Sequence, residues 1–145
     1  MSLRSAANLE LNDNDLDSTL PVSLFFMSEL KILSIEANER MHGTISPFIS
    51  QLEELQRLKL GSTNLGGTLP KELFSLTDLS ELNLKRASFS GSIPEEIRLL
   101  NASLMDLYLN DNAFTGSVPE AFDYLTALGT WYCGCCLPCA LLRLG

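Results

Sequence analysis

The sequence has few basic residues, no long apolar run and no charge pattern of a nucleic-acid binder. It contains 10 Lys and Arg against 18 Asp and Glu, which gives a net charge of -8 at pH 7. Nucleic-acid binders need clustered Lys and Arg to contact phosphates, so this balance argues against that class. No apolar run reaches the roughly 18 residues of a membrane-spanning helix. The first residues, Met-Ser-Leu-Arg-Ser, lack the apolar segment of a secretion signal.

The scarcity of histidine limits metal and catalytic chemistry. His42 is the only histidine, which excludes clusters of histidine ligands, and no Ser or Cys lies in a motif that marks a nucleophile. Residues 13–17 contain three aspartates, but Ser18 and Leu24 stand where a calcium loop needs Gly and Glu. The sequence therefore predicts a protein that is not an enzyme and has no cofactor.

Cysteine is absent from the first 132 residues and concentrated at the end, in the segment Cys133-Gly-Cys135-Cys136-Leu-Pro-Cys139. The adjacent Cys135 and Cys136 do not match the paired spacing of a zinc ribbon. Zinc binding, palmitoylation beside the following leucines and disulfides to a missing cap all stay open. An error in the coding sequence is favoured, because the repeat described next is lost after Thr130. Residues 133–145 are predicted to be an irregular Cys-rich tail.

A repeat of 24 or 25 residues organises the rest of the chain. Two apolar residues that flank one variable residue recur along it: Leu9 and Leu11, Leu33 and Ile35, Leu58 and Leu60, Leu82 and Leu84, Leu107 and Leu109, then Trp131 and Cys133. A second landmark keeps the same period: Leu20-Pro21, Ile45-Ser46, Leu69-Pro70, Ile93-Pro94 and Val118-Pro119. Alternate residues of a strand point to one side. One such turn cannot bury its leucines alone, so stacked turns should share a continuous core.

These residues resemble the plant-type class of leucine-rich repeats, whose pattern is L-x-x-L-x-x-L-x-L-x-x-N-x-L-x-G-x-I-P. The fifth copy, from Leu104 to Pro119, matches best, and the resemblance covers residues 3 to about 132. It implies an α/β solenoid over residues 1–132, a right-handed horseshoe of five to six repeats. Parallel strands would line its concave face, and short 3₁₀ or helical segments its convex side. The absence of recognisable polar end caps leads us to interpret the sequence as a fragment of a longer array.

Some copies depart from this pattern. Asn14, Asn38 and Asn112 can bind neighbouring backbone where the chain turns, but Thr63 and Ala87 replace them in the third and fourth copies. We therefore expect the row of asparagines to be interrupted there. The second copy also carries one extra residue after Asn38.

Binding is predicted on the concave face, where the variable strand residues should point outward. Four bases on adjacent turns form a basic island in an acidic protein, which favours acidic peptides or anionic glycans. The candidate ligand-binding residues are Arg57, Lys59, Asn83, Lys85, Arg86, Tyr108 and Asn110. Of these, Lys59, Asn83 and Tyr108 are expected to be exposed. The alternative is a solvated face whose mixed charges only confer solubility.

The resemblance implies a non-catalytic module that binds a protein, peptide or glycan. It also implies that the module is part of a receptor-like or extracellular protein, although no signal peptide is seen. Asn101-Ala-Ser103 is a glycosylation sequon, which matters only in a secreted chain. Two other functions stay open. An inhibitor-type repeat protein would bind a hydrolase tightly, whereas an uncapped structural fragment would have no ligand and would fail to fold alone.

Overall fold

The computed structural model describes residues 6–134, which form six stacked turns of a solenoid. Each turn contributes one short strand to a six-stranded parallel sheet: β1 (Asn8–Glu10), β2 (Ile32–Ser34), β4 (Arg57–Lys59), β6 (Glu81–Asn83), β8 (Asp106–Tyr108) and β10 (Thr130–Tyr132). The first apolar residue of each turn pairs with that of the next, from Leu9 to Trp131. This register confirms the repeat. Cys135, Cys136 and Cys139 lie outside the described residues.

Short 3₁₀ helices form the opposite side of the turns, as predicted: η1 (Val22–Phe26), η2 (Pro47–Gln51), η3 (Lys71–Ser75), η4 (Glu95–Leu100) and η5 (Glu120–Tyr124). Proline precedes four of them because its ring fixes φ near the required value. Before η2, Ser46 takes its place and accepts a hydrogen bond from the Phe48 backbone N–H at 3.3 Å. Among residues 6–134, no helix combines the length and apolar character that a bilayer crossing needs.

A second parallel sheet joins the two sides, and the sequence analysis did not predict it. Its strands are β3 (Asn38–Thr44), β5 (Thr63–Gly67), β7 (Ser88–Gly91) and β9 (Ala113–Phe114). The extra residue of the second copy is absorbed as an irregularity in the pairing of β3 with β5, between Asn38 and His42. The sheet ends at glycines with positive φ, such as Gly67 at 76°. A Cβ there would lie 2.9 Å from the Thr44 methyl group.

The core runs continuously between the two sheets and the 3₁₀ helices. The paired leucines of the central turns are all fully buried, as predicted: Leu58, Leu60, Leu82, Leu84, Leu107 and Leu109. Each helix adds one or two buried residues, such as Ile49 or Leu73, and the second sheet adds Phe89. Burial is weaker in the first turn, where Leu9 is half-buried and Leu11 is 37% exposed.

Asparagine side chains at the ends of two strands tie successive turns together. The fully buried Asn38 donates from Nδ2 to the carbonyl oxygens of Leu11, Ile35 and Glu36 at 2.9, 3.0 and 3.2 Å. Asn112 makes the same three bonds three turns further along the solenoid, to the carbonyl oxygens of Leu84, Leu109 and Asn110. Thr63 keeps only the bond to the Leu60 carbonyl, and Ala87 has no side chain that can donate. The predicted interruption is confirmed.

Candidate ligand-binding surface

The outward side of the six-stranded sheet is the candidate site, and we call it the strand face. It comprises the residue between the paired apolar residues of each turn and the residues that flank the pair. In a pleated strand these positions point away from the core because their neighbours point into it. The central column of the strand face is Glu10, Ser34, Lys59, Asn83, Tyr108 and Tyr132.

The predicted basic island is largely neutralised by neighbouring carboxylates. Lys59 Nζ lies 3.0 Å from Glu81 Oε1, and Arg57 Nε lies 3.8 Å from Glu81 Oε2. Arg86 Nε lies 3.7 Å from Asp111 Oδ2, with both side chains well exposed. The four bases do lie on adjacent turns, but three of them are paired. An anionic partner would therefore have to compete with Glu81 and Asp111 instead of meeting an open cationic surface.

Asn83 is not exposed, so that expectation was wrong. It is 5% exposed and donates from Nδ2 to Glu36 Oε1 at 2.8 Å, while its Oδ1 accepts a hydrogen bond from the Lys85 backbone N–H at 3.2 Å. Glu36 belongs to the second turn and Asn83 to the fourth, so their bond crosses the third. It can do so because Gly61 leaves a gap: a Cβ there would lie 3.1 Å from both Asn83 Oδ1 and Lys85 Cγ.

Lys85 and Asn110 lie in the column after the paired leucines. Within residues 6–134, Lys85 forms no ion pair, and its side chain packs beside Gly61. Asn110 Nδ2 donates to Asp111 Oδ2 at 2.8 Å, so Asp111 receives contacts from both Asn110 and Arg86. Lys85 is thus the member of the basic island whose ammonium group is most available to a partner.

A small pocket opens in the first three turns of the strand face. Its volume is about 110 Å³, enough for one side-chain group, and it is lined by Glu10, Asn12, Ile32, Ser34, Glu36, Arg57 and Lys59. Asn12 Oδ1 fixes one wall by accepting hydrogen bonds from Ser34 Oγ and the Glu36 backbone N–H, both at 2.8 Å. The lining therefore contains two carboxylates, from Glu10 and Glu36, and two cations, from Arg57 and Lys59.

Two stacked tyrosines occupy the last two turns of the strand face. The ring centroids of Tyr108 and Tyr132 are 5.7 Å apart with an angle of 14° between the planes. Tyr108 is half-buried and Tyr132 is 58% exposed. Desolvation raises the pKa of Tyr108, the negative charges of Asp106 and Glu81 raise it further, and Lys59 partly opposes them. The charges nearest to Tyr108 are therefore mainly negative.

Asn101 lies away from the strand face, directly after η4. Asn101 is exposed, and its backbone carbonyl oxygen accepts hydrogen bonds from the Ala127 N–H at 3.2 Å and from Thr126 Oγ1 at 3.3 Å. The sequon is therefore accessible on the helical side.

The candidate ligand-binding residues chosen from the sequence leave out several residues that shape the strand face, chiefly Glu81, Glu36 and Asn12. A signal for Glu81 was present, because it follows Arg57 by one repeat and the two residues pair in the sheet. No comparable signal marks the Glu36–Asn83 bond, which skips a turn and depends on the missing side chain at Gly61.

The comparisons with known proteins agree with this architecture. The leucine-rich-repeat family model matches residues 103–125. One similar structure is the leucine-rich-repeat ectodomain of the plant membrane receptor kinase GASSHO1/SCHENGEN3 from Arabidopsis thaliana, in complex with CASPARIAN STRIP INTEGRITY FACTOR 2. The chain is 34% identical to it over 89% of the chain's length, with a TM-score of 0.83. It is 25% identical, over 88% of its length and with a TM-score of 0.79, to the ectodomain of the Arabidopsis thaliana receptor kinase SOBIR1.

A third similar structure is the plant peptide hormone receptor RGFR1 in complex with RGF2, at 32% identity over 83% of this chain and a TM-score of 0.79. The chain spans 15% of the GASSHO1/SCHENGEN3 chain, 19% of the RGFR1 chain and 69% of the SOBIR1 chain. No curated protein has a significantly similar sequence. The leucine-rich-repeat ectodomain fold is a non-catalytic scaffold for protein interactions. Repeat period, paired sheets and these similarities together identify the chain as a leucine-rich-repeat protein of the plant-type class.

Proposed function

We propose that the chain is a protein-binding module whose strand face contacts an extended peptide segment of its partner. The observation that carries this proposal is the combination, on one sheet, of a pocket lined by groups of both charge signs and the stacked tyrosine pair. Parallel strands hold these side chains at a fixed spacing of about 4.7–4.9 Å per turn. A preorganised surface of this kind lowers the ordering cost of binding.

A peptide fits this surface better than a glycan does. The stack of Tyr108 and Tyr132 covers one face of each ring and so leaves less aromatic surface for a sugar. The walls of the pocket offer both charge signs beside amide and hydroxyl groups, which suits the mixed chemistry of a polypeptide. The similarity to the peptide hormone receptor RGFR1 in complex with RGF2 supports the same choice. The similarity to the ectodomain of the membrane receptor kinase GASSHO1/SCHENGEN3 supports a receptor-like, extracellular setting.

Binding through the strand face should involve Lys85 and Lys59, with Arg57, Arg86, Asn110 and Tyr108 around them. Asn83 contributes indirectly, by holding Glu36 in place. Asn101 stays a candidate glycosylation site within this proposal, because a glycan on the helical side would leave the strand face open.

The test begins with a displayed library of random linear peptides, selected on the folded chain. The best peptide is then measured on Lys59→Glu with Lys85→Glu, and on the matched double variant Lys71→Glu with Arg98→Glu. The matched pair has the same charge change but lies on η3 and η4. We expect the first variant to weaken binding more than tenfold and the second less than twofold. Equal losses, or a failure to select any binding peptide, would overturn the proposal.

A further inference from the structure

One carboxylate of the strand face differs from its neighbours. Asp106 is the first residue of β8, is half-buried, and forms no ion pair with any cation among residues 6–134. Glu81, one turn earlier in the same column, contacts both Arg57 and Lys59. The strand face therefore contains a neutralised acid and, beside it, an acid whose charge is available.

The tyrosine pair stands directly beside Asp106. In the pairing of β8 with β10, Asp106 lies opposite Thr130 and Tyr108 lies opposite Tyr132. Thr130 is small, so no bulky side chain of β10 stands directly opposite Asp106. The stack covers one face of Tyr132, and its 58% exposure leaves the remainder of the ring in contact with solvent.

We propose that Asp106, Tyr108 and Tyr132 form an acceptor site for an arginine side chain of the peptide partner. The proposal rests on the protein-binding function above and specifies what the partner must carry. Guanidinium groups stack on aromatic rings and pair with carboxylates through a planar fork of donors. Burial raises the pKa of Tyr108 most, and the negative charges of Asp106 and Glu81 raise it further, so the charges around this ring also favour a cation.

The fold also sets where this arginine lies relative to an acidic residue of the same peptide. Lys85 follows β6, and Tyr132 ends β10, two strand spacings further along the sheet. Two spacings amount to about 10 Å, and an extended chain advances about 3.3 Å per residue. A peptide that crosses the strands would therefore place its arginine about three residues from an acidic residue that contacts Lys85.

The experiment selects the same displayed library in parallel on the wild-type chain and two double variants. Asp106→Asn with Tyr132→Leu removes the acceptor site. Asp123→Asn with Tyr124→Leu makes the same chemical changes on η5, where both residues are exposed. Peptides from the wild type and the η5 variant should be enriched in arginine about three residues from Asp or Glu. Peptides selected on the acceptor-site variant should lose that enrichment.

Affinity measurements on the best wild-type peptide complete the test. Replacing its arginine by citrulline, which keeps the shape and removes the charge, should weaken binding about tenfold on the wild type and less than twofold on the acceptor-site variant. Peptides that bind the strand face without arginine enrichment, or with equal citrulline effects on both proteins, would overturn this site and leave the protein-binding function intact. A library that gives no binding peptide at all would overturn both.

Discussion

At the scale of single residues, each of the first five turns contains one non-glycine residue with left-handed backbone geometry. Its φ lies between 51° and 58°, and it directly precedes the asparagine position of the turn: Asp13, Ala37, Ser62, Arg86 and Asp111. The left-handed region costs an L-residue roughly 1–2 kcal/mol, and Asp tolerates it better than Ala because its side chain binds locally. The strand therefore leaves the sheet through a strained residue, most clearly at Ala37.

Relieving this strain should stabilise the protein. Ala37→Gly is expected to raise the free energy of unfolding by about 1 kcal/mol, since glycine adopts positive φ without a steric penalty. Ala87→Gly is the matched control, because Ala87 has an ordinary φ and packs against the core. It should lower stability, by loss of packing and greater freedom of the unfolded chain. The measurement is urea denaturation of both variants. A loss of stability in both would contradict the claim that Ala37 is strained.

At the scale of elements, the asparagine row holds the end of one strand against the turn before it. Asn38 is fully buried, and its three carbonyl partners come from two successive turns. Its Oδ1 also accepts a hydrogen bond from the Leu16 backbone N–H at 3.2 Å. Buried backbone groups need partners, so this one side chain satisfies groups that the sheets leave unpaired.

Removing Asn38 should therefore be costly. Asn38→Ala is expected to destabilise the protein by about 2–3 kcal/mol, because several buried carbonyl groups and one N–H lose their partner. Asn14→Ala should cost less than about 1 kcal/mol, since Asn14 is exposed and binds only two carbonyl oxygens of its own turn. Thermal and urea unfolding of the two variants provide the comparison. Equal costs would show that the row does not stabilise the stack.

The elements also show how much of the fold and of the candidate site could be predicted from the sequence. The leucine spacing predicted the first sheet and its register, since burial of one residue in two leaves a strong pattern. The second sheet was missed because β5 reads Thr-Asn-Leu-Gly-Gly, and glycine argues against a strand. The burial of Asn83 depends on the Glu36 side chain, which reaches it across the third turn beside Gly61. That arrangement follows from three-dimensional neighbours that no local pattern contains.

At the scale of the whole molecule, each turn contacts mainly the turns beside it. Helix η3 packs on η2 and η4, and β4 pairs with β2 and β6. Burial follows this arrangement: Leu58 and Leu60 are fully buried in the third turn, whereas Leu11 in the first is 37% exposed. Stability in such a stack is a sum of neighbour terms, so it should fall from the centre toward both ends.

Hydrogen exchange should reveal this gradient directly. Backbone amides between residues 55 and 110 are expected to exchange most slowly, and those before Leu9 and after Trp131 most rapidly, because end turns open without disrupting the centre. The measurement is native-state exchange followed by mass spectrometry of short peptides. Uniform protection along the chain would mean that the stack unfolds as one cooperative unit.

The central claim is that the strand face, and not the helical side, receives the partner. The most direct measurement is cross-link mapping with a selected peptide that carries a photoreactive benzophenone at each position in turn. The account predicts cross-links to strand-face residues, among them Lys59, Lys85 and Tyr132, and their loss when unlabelled peptide competes. Competable cross-links that fall mainly on η1–η5 or on the second sheet would contradict it.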